Sequence, residues 1–421
     1  MKTLVIGNGA REHAITWKLQ QSDLVSELLV APGNAGTAQI AENVPIAATD
    51  IDGLLDYVKN TSVEFTVVGP EGPLANGIVD RFQAAGLLVF GPTQSAARIE
   101  SSKVFSKDLM LAEGVPTGQA RTFSSYEDAK GYIETCPLPT VIKADGLAAG
   151  KGVIVAETRQ DALTALKEIM DDRQFGEAGD SVLIEEYLQG QEVSVFAFVD
   201  GDYVSPMAAA CDYKRVGDGN VGPNTGGMGS FSPPRQDHWN CEVEAQVRRE
   251  IMEPVAKAMV RLGCPYSGVL YLGIMLTQDG LKVIEFNCRL GDPETQVVLP
   301  RLRTDLAQIM LATAKGELRG LDIIWSDDAY VGVVMASGGY PDSYKTGHAI
   351  KGLDGLEPGV TIFQAGTRLS SGGEVVTDGG RVLTATAAGK SLADARRKVY
   401  DNLHNIHFQD SFYRTDIAAC I

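Results

Sequence analysis

The feature that constrains this chain most is a glycine-rich turn between two short apolar segments, in the stretch TVIKADGLAAGKGVIV at residues 140–155. The first segment ends near Lys143, and Gly146, Gly150 and Gly152 follow it. Glycines let successive N–H groups turn toward one anion, and a lysine adds positive charge on the same oxygens. The pattern predicts two strands joined by a phosphate-binding loop, or else a β-hairpin with an ordinary glycine turn. It is not a Walker motif, because no Lys-Ser or Lys-Thr pair leads into a helix.

Strands and helices alternate through the first hundred residues. Such alternation predicts a doubly wound parallel sheet, in which ligands bind at the carboxyl ends of the strands. Gly9, Asn34 and Glu71 fall at such ends. The strands expected there are residues 3–7, 28–31, 65–69 and 87–91.

The first strand leads into GNGAREH at residues 7–13, which is half of a dinucleotide-binding fingerprint. Glu12 stands where the third glycine would be, and no acidic residue for a ribose follows the second strand. Both departures disfavour a nicotinamide-dependent dehydrogenase. An anion at the amide-rich start of the helix stays open. His13 either contacts a ligand or packs within the fold.

Two predicted loops contain polar residues at or after the ends of strands. Glu185 and Glu186 end a predicted strand, and Gly190 and Glu192 follow, which suggests a hinge that bears hydrogen-bond acceptors. Nearly 30 residues between a strand and a helix, among them 211–220 and 223–229, lack periodicity, which predicts a functional loop, an omega loop or a lid.

A predicted hairpin around residues 269–287 ends in a second polar cluster. The strand period of two places Val283, Glu285, Asn287 and Arg289 on one face. Carboxylate and amide oxygens two residues apart are ligands suited to Mg²⁺ on phosphates. The alternative is a solvated face of an edge strand.

The remaining segments indicate packing. We expect helices over residues 159–170, 241–262 and 391–406, and strands over 330–335, 360–365 and 381–387, with no catalytic constellation in the last hundred residues.

Composition narrows the class of protein. A net charge of −17 disfavours a general nucleic-acid binder, which needs basic surfaces. No apolar run reaches the roughly 18 residues of a membrane span, and the N-terminus lacks a signal-peptide layout. The six cysteines form no C-x-x-C pair, and each is expected to be a reduced, small core residue. We therefore expect a cytoplasmic protein that contacts neither nucleic acid nor membrane.

Taken together, these motifs identify the chain as similar to the phosphoribosylamine–glycine ligase (glycinamide ribonucleotide synthetase) family, within the ATP-grasp superfamily. The resemblance covers the whole length. It rests on the segments at residues 7–14, 69–74, 143–152, 212–215, 223–229 and 285–296. It implies α/β and α+β domains: an N-terminal doubly wound parallel-sheet domain (1–101), an ATP-grasp core (102–325) with an inserted lid at about 120–190, and a small C-terminal domain (326–421).

The resemblance also implies a reaction and its participants. Glycine and 5-phosphoribosylamine would be joined using ATP and Mg²⁺ or Mn²⁺, through glycyl phosphate, by a monomeric enzyme of purine biosynthesis. Arg289 and Lys143 would be catalytic, and Glu285 and Asn287 would hold the metal. The nucleotide would be bound by Lys103, Lys143, Gly146, Gly150, Gly152, Glu185, Glu186 and Leu188, with Glu192 on its ribose. The other substrates would be bound by Gly9, Glu71, Asp212, Lys214, Asn224, Thr225, Gly226 and Arg289. Unlike many superfamily members, the strand at 269–277 supplies no further metal carboxylate.

Two rivals remain at this level. One is another ATP-grasp carboxylate–amine ligase, such as a purine carboxylase or formyltransferase, against which the segments at 212–215 and 224–229 argue. The other is a nucleotide-binding regulator without turnover.

Overall fold

The computed structural model describes residues 1–148 and 152–419. Its N-terminal region contains five parallel strands in the order β3-β2-β1-β4-β5. The apolar residues of β1 are buried throughout, as expected for a parallel strand covered on both faces. The predicted parallel sheet is therefore confirmed. Its elements are β1 (Lys2–Gly7), α1 (Ala10–Leu19), β2 (Glu27–Pro32), β3 (Glu42–Asn43), α2 (Ile51–Thr61), β4 (Phe65–Val68), α3 (Glu71–Ala75), α4 (Ile78–Ala84), β5 (Val89–Phe90) and α5 (Gln94–Ser101).

The order of this sheet reverses between β1 and β4. The loops that follow these two strands run apart and leave a crevice between them, which is where doubly wound sheets bind ligands. Gly9 lies in the first loop, and Glu71 begins α3 after the second.

The next region is a long helix and a small antiparallel sheet in the order β6-β9-β7-β8. The sheet and its two helices enclose an apolar cluster of their own, which includes Ile142, Ala162 and Ile184. The predicted pair of strands around the glycine-rich turn is confirmed as antiparallel β7 and β8. The elements are α6 (Lys103–Ala112), β6 (Ala120–Phe123), α7 (Tyr126–Ile133), β7 (Thr140–Ala144), β8 (Val153–Ala156), α8 (Arg159–Leu166) and β9 (Val182–Glu186).

The largest sheet has the order β17-β16-β10-β12-β15-β18-β22-β19, with β11 beside β10. Three strands after residue 328 belong to the same sheet as β10, so the C-terminal segment completes this sheet. The strands are β10 (Gln191–Asp200), β11 (Tyr203–Val204), β12 (Ala208–Asp212), β13 (Arg215–Gly217), β14 (Val221–Asn224), β15 (Gly229–Ser232), β16 (Ser267–Thr277), β17 (Gly280–Asn287), β18 (Ala329–Ala336), β19 (Val360–Gln364), β20 (Thr367–Leu369), β21 (Val375–Thr377) and β22 (Arg381–Gly389). The helices are α9 (Cys241–Val247), α10 (Glu253–Arg261), α11 (Thr295–Val298), α12 (Leu306–Lys315) and α13 (Leu392–Leu403).

The prediction of a long structureless loop around residues 211–229 is wrong. Strands β13 and β14 form a short hairpin there, and β15 is an inner strand between β12 and β18. Strands of three or four residues rich in glycine, proline and asparagine carry no alternation that a sequence pattern could detect.

The predicted hairpin of β16 and β17 is present, but its register changes opposite Gly273 and Ile274. Ile284 is the extra residue of this bulge, and a bulge interrupts the period of two. Val283 therefore packs in the apolar core, and the prediction that it shares a face with Glu285 is wrong. Glu285 and Asn287 do face the same cavity.

Two expectations from composition can be compared with the fold. Among the described residues, no helix is long and apolar enough to cross a membrane. The described cysteines are free, and all are buried except Cys241. Cys241 is exposed at the start of α9, so the prediction that it is a core residue is wrong.

Candidate functional site

A cavity of about 390 Å³ lies where α1, α3, α6, the β7–β8 pair and the end of β17 meet, with Arg381 of β22 at its edge. Its wall mixes charges of both signs from segments that are far apart in the chain. Such convergence of charged groups in one cavity is typical of a binding site for charged small molecules. The charged residues of the wall are Arg11, Glu71, Glu100, Lys103, Lys107, Lys143, Glu185, Glu285, Arg289, Asp292 and Arg381.

Three lysines line one part of this cavity. Lys103 and Lys107 lie one turn apart on α6, so they share a face of the helix. Lys143 comes from β7, and its Nζ donates a hydrogen bond to the carbonyl oxygen of Ile284 at 3.2 Å. Lys103 Nζ donates to the carbonyl oxygen of Gly146 at 2.8 Å. The helix and the strand thus bring positive charge to the predicted phosphate loop.

Glu185 lies between two of these lysines. Its carboxylate forms buried ion pairs with Lys107 and Lys143. Burial alone would raise the pKa of Glu185, but the two ammonium groups lower it below its ordinary value. Its carbonyl oxygen accepts a hydrogen bond from Thr140 Oγ1 at 2.8 Å. The structure therefore engages Glu185 with lysines, and its implied contact with adenine stays a prediction.

The other residues implied for the nucleotide are placed unequally. Gly146 and Gly152 line the cavity, whereas Gly150 lies outside the described residues. Glu186 ends β9, with its carboxylate 3.9 Å from Lys282 Nζ. Leu188 follows it in the turn before β10. Neither of these two is part of the cavity wall.

Glu192 and Lys214 form an ion pair with each other. The resemblance implied a nucleotide role for Glu192 and a role toward the other substrates for Lys214. Burial works against the charged ammonium, but Glu192 raises the pKa of Lys214 well above its ordinary value. The ion pair therefore connects a residue implied for the ribose of the nucleotide with a residue implied for the other substrates.

Glu285 and Asn287 are the residues implied for a metal. Glu285 makes no direct hydrogen bond or ion pair within the part of the chain that the structure describes. Burial opposes its ionisation, but Lys214, Lys143 and Lys103 together lower the pKa of Glu285. Asn287 Oδ1 accepts one hydrogen bond, from Arg289 Nη2 at 3.2 Å. An ionised carboxylate and an amide oxygen with a free lone pair fit a hard divalent cation.

The same two residues limit how such an ion could be held. Among the described residues, no group of three or more acidic, histidine or cysteine side chains could hold a metal. An ion at Glu285 and Asn287 would need further oxygen ligands from phosphates or water. Mg²⁺ in nucleotide sites is commonly held in this way.

Arg289 also lines the cavity and makes several hydrogen bonds within it. Its Nε donates to Glu71 Oε2 at 3.1 Å, and its Nη2 donates to Glu100 Oε1 at 3.0 Å. Burial works against ionisation, yet Arg289 and Arg11 hold the pKa of Glu71 at about 2. Nη1 also donates to the Leu290 carbonyl oxygen at 3.3 Å, so these contacts fix the guanidinium plane and leave one Nη1 donor and the positive charge for a ligand carboxylate.

A carboxylate of the chain itself caps the N-terminus of α1 at Gly9. Gly9 N donates to Glu12 Oε2 at 2.7 Å, and Glu12 Oε1 pairs with Arg11 Nε at 2.5 Å. Glu12, which replaces the third fingerprint glycine, thus takes the amide of Gly9. An anion at the other amides of this helix start and a substrate contact of Gly9 stay predictions, and Gly9 does not line the cavity.

Two other polar residues of this region are structural. His13 Nδ1 accepts a hydrogen bond from Gln364 N at 2.9 Å, and burial lowers the pKa of His13 to about 4. Asn34 Nδ2 donates to the carbonyl oxygens of Asn8 and Gln364, at 2.9 and 2.8 Å. Both side chains attach the N-terminal region to β19, which agrees with the packing alternative for His13.

Residues 224–226 were implied for substrate binding, and only Gly226 lines the cavity. Asn224 is exposed at the end of β14. Thr225 Oγ1 donates to the Lys214 carbonyl oxygen at 2.8 Å and accepts from Gly227 N at 3.0 Å. Thr225 therefore shapes the loop.

Gly227 holds this loop against Asp212. Its φ is +106°, and a Cβ there would lie 2.3 Å from Pro293 Cδ and 2.7 Å from Asp212 Oδ1. That buried oxygen has no hydrogen-bond partner among the described residues. Burial and the nearby Glu294 raise the pKa of Asp212 well above its ordinary value. Asp212 therefore has a buried oxygen without a partner near the site, although it does not line the cavity itself.

Sequence reasoning missed several residues of the wall. Arg381 Nη1 donates to the carbonyl oxygens of Gly226 at 2.5 Å and Asp292 at 2.9 Å, which contradicts the expectation that the C-terminal segment only packs. Arg11 and Glu100 were missed because their contacts with Leu290 and Arg289 join segments that are distant in sequence. The sequence signal that could have found them is a charged residue within a segment that otherwise predicts a packed helix.

Comparison with known proteins identifies the family to which the chain is similar. The phosphoribosylglycinamide synthetase N domain matches residues 1–100, the ATP-grasp (A) domain matches 101–295 and the C domain matches 330–420. The phosphoribosylamine–glycine ligase of Escherichia coli K12 is 48% identical, covering 99% of this chain and 98% of that protein. Its namesake from Xanthomonas axonopodis pv. citri is 49% identical, covering 99% of this chain and 97% of that protein.

Solved structures agree with these matches. The crystal structure of phosphoribosylamine–glycine ligase from Thermotoga maritima has a TM-score of 0.86 and 32% identity, covering 99% of this chain and all of that one. A biotin carboxylase domain from Hydrogenobacter thermophilus, in complex with MgADP, has a TM-score of 0.76 at 15% identity, covering 98% of this chain and 91% of that chain, and shows the shared fold alone. The predicted ATP-grasp fold is confirmed, and the chain belongs to the phosphoribosylglycinamide synthetase family.

Proposed function

We propose that the chain joins glycine to 5-phosphoribosylamine at the expense of ATP, and releases glycinamide ribonucleotide, ADP and phosphate. The observation that carries this proposal is the arrangement of one cavity. Lysines from α6 and β7 line this cavity together with Arg289. Glu285 and Asn287 line it too, and Glu285 feels the charges of both the lysines and Arg289. Such a cavity suits two anions that must be brought together despite their repulsion.

The lysines support a place for the phosphates of ATP. Lys103 is hydrogen-bonded to the glycine-rich loop, and Lys143 lies at the base of that loop. Mg²⁺ or Mn²⁺ on Glu285 and Asn287 would offset the charge that develops on the transferred phosphoryl group. The choice between the two metals is not decided by the ligand set, since both accept carboxylate and amide oxygens.

Arg289 supports a place for the carboxylate of glycine. In the proposed reaction that carboxylate attacks the γ-phosphorus of ATP, and ADP leaves. The ribosylamine nitrogen then attacks the carbonyl carbon of glycyl phosphate, loses a proton, and inorganic phosphate leaves. No serine or cysteine nucleophile is needed for either step. The chain's task is to position the reactants and to exclude water from the acyl phosphate.

The boundaries of the three domains and a lid function for residues 120–190 belong to this proposal. The separate apolar cluster around Ile142 supports a unit that could move as a body. A monomeric state, and operation in the cytoplasm, are predictions of the same kind.

A phosphate-release assay tests the function. Release is expected only when ATP, a divalent metal, glycine and ribosylamine are all present. Release with bicarbonate or formate in place of glycine would point to another ATP-grasp ligase. Tight ATP binding with no release under any of these conditions would point to a regulator.

A further inference from the structure

We propose that Lys107 is a positioning residue for the nucleotide: it offsets the charge of Glu185, so that the charge of Lys143 remains available to the phosphates of ATP. This inference rests on the proposed function, and it concerns a residue to which neither the sequence motifs nor the family resemblance gave a role.

The two lysines share a single carboxylate. Lys107 Nζ contacts Oε1 of Glu185, and Lys143 Nζ contacts Oε2. All three side chains are buried, with 3, 7 and 8% of the Lys107, Glu185 and Lys143 side chains exposed. Water therefore screens their charges poorly, and charge balance in this cluster matters more than it would at the surface.

The two lysines differ in the donors that they have left. An ammonium group has three N–H donors. Lys107 uses all three within the protein, on Glu185, on Thr117 Oγ1 at 2.6 Å and on the Gly118 carbonyl oxygen at 3.1 Å. Lys143 uses two, on Glu185 and on the Ile284 carbonyl oxygen at 3.2 Å. Within the described residues, only Lys143 of this pair keeps a donor for a ligand.

Charge counting gives the function of the arrangement. Glu185 and Lys143 alone would form a neutral pair, and a neutral pair attracts a polyphosphate weakly. Lys107 restores one net positive charge, and its bonds to Thr117 and Gly118 occupy its remaining donors. The ligand class that benefits is a nucleoside polyphosphate, and an uncharged nucleoside gains nothing.

The test measures dissociation constants for ADP and for adenosine by calorimetry on the full chain. Lys107→Met should weaken ADP binding about tenfold and change adenosine binding less than about twofold, because only the phosphates respond to the charge. The double variant Lys107→Met with Glu185→Gln should regain most of the ADP affinity, because glutamine does not neutralise Lys143. Lys257→Met, in an exposed pair with Glu253, is the matched control and should bind both ligands like wild type.

The outcomes separate the two levels of the argument. If the wild type does not bind ADP, the proposed function fails and the inference fails with it. If the wild type binds ADP but Lys107→Met binds it equally well, or loses ADP and adenosine alike, the inference alone is overturned. Should Lys107→Met not fold, Glu185→Gln decides: the ratio of ADP to adenosine affinity must equal or exceed that of wild type, and a lower ratio overturns the proposal.

Discussion

Replacing Arg289 with lysine keeps the positive charge and removes the planar guanidinium group, whose N–H donors form a fork. The arginine donates to Glu71, Glu100 and Asn287 at 3.0–3.2 Å. A lysine side chain is shorter and ends in a single ammonium group, so it could bind at most one of the two carboxylates. The substitution therefore separates the need for a positive charge from the need for a planar group that several hydrogen bonds hold in place.

The expected loss of stability is modest. A lost charge-assisted hydrogen bond costs roughly 1.5–3 kcal/mol when a partner is left buried. Neither carboxylate would be left without a partner, however. Glu71 keeps Arg11 at 3.8 Å, and Glu100 keeps the Cys288 amide at 2.7 Å. We therefore expect a cost near the lower end, and a folded protein.

The expected loss of activity is larger. Removing one preorganised donor to a developing anion typically costs about 10²–10³-fold in kcat. Arg289→Lys should reduce kcat/KM for glycine by about that factor, with KM for ATP changed far less. Steady-state kinetics and a thermal unfolding curve measure both effects. Arg303→Lys, in an exposed pair with Asp328, is the control and should behave like wild type. Full activity in Arg289→Lys would refute the role of the fork, as would a loss of activity that only follows unfolding.

Three further predictions concern other parts of the site. Gly227→Ala should lower stability by about 1–3 kcal/mol, because φ is +106° and the new Cβ would overlap Pro293, and an unchanged melting temperature would contradict this. Glu285→Gln should raise the Mg²⁺ concentration needed for half-maximal turnover at least tenfold with the fold intact, since one ionised ligand is lost; an unchanged metal requirement would remove the assignment. Glu71 has a pKa of about 2 against an ordinary 4.5, so its ionised form stabilises the fold fully above pH 4.5 and this contribution fades as the pH falls toward 2. Glu71→Gln should therefore flatten the pH dependence of the free energy of unfolding in that window, and an identical slope in wild type and variant would refute the pairing.

Local patterns predicted the parts of the fold that depend on local chemistry. The apolar run of β1 and the strands on either side of Lys143 could be identified because burial and strand formation leave a continuous apolar signal. Glu285 and Asn287 were recognised together because they are two residues apart in a strand. Spacing survives there because the bulge at Ile284 lies before both of them.

Features that depend on register and distant partners could not be predicted. The bulge that turns Val283 into the core is set by pairing with Gly273, which the sequence of β17 does not encode. Arg381 is about 90 residues from Asp292, and nothing in its own segment distinguishes it from a surface arginine. The position of Glu185 between two lysines likewise requires α6 and β9 to meet, which only the tertiary fold determines.

The central claim is that the carboxylate of glycine is activated by transfer of the γ-phosphoryl group of ATP. It is tested most directly by turnover with glycine carrying ¹⁸O in its carboxylate, followed by mass spectrometry of the released phosphate. Because one carboxylate oxygen would bridge to phosphorus and leave with it, the account predicts one labelled oxygen in each phosphate. Phosphate released without label, at the same rate as glycinamide ribonucleotide forms, would contradict it.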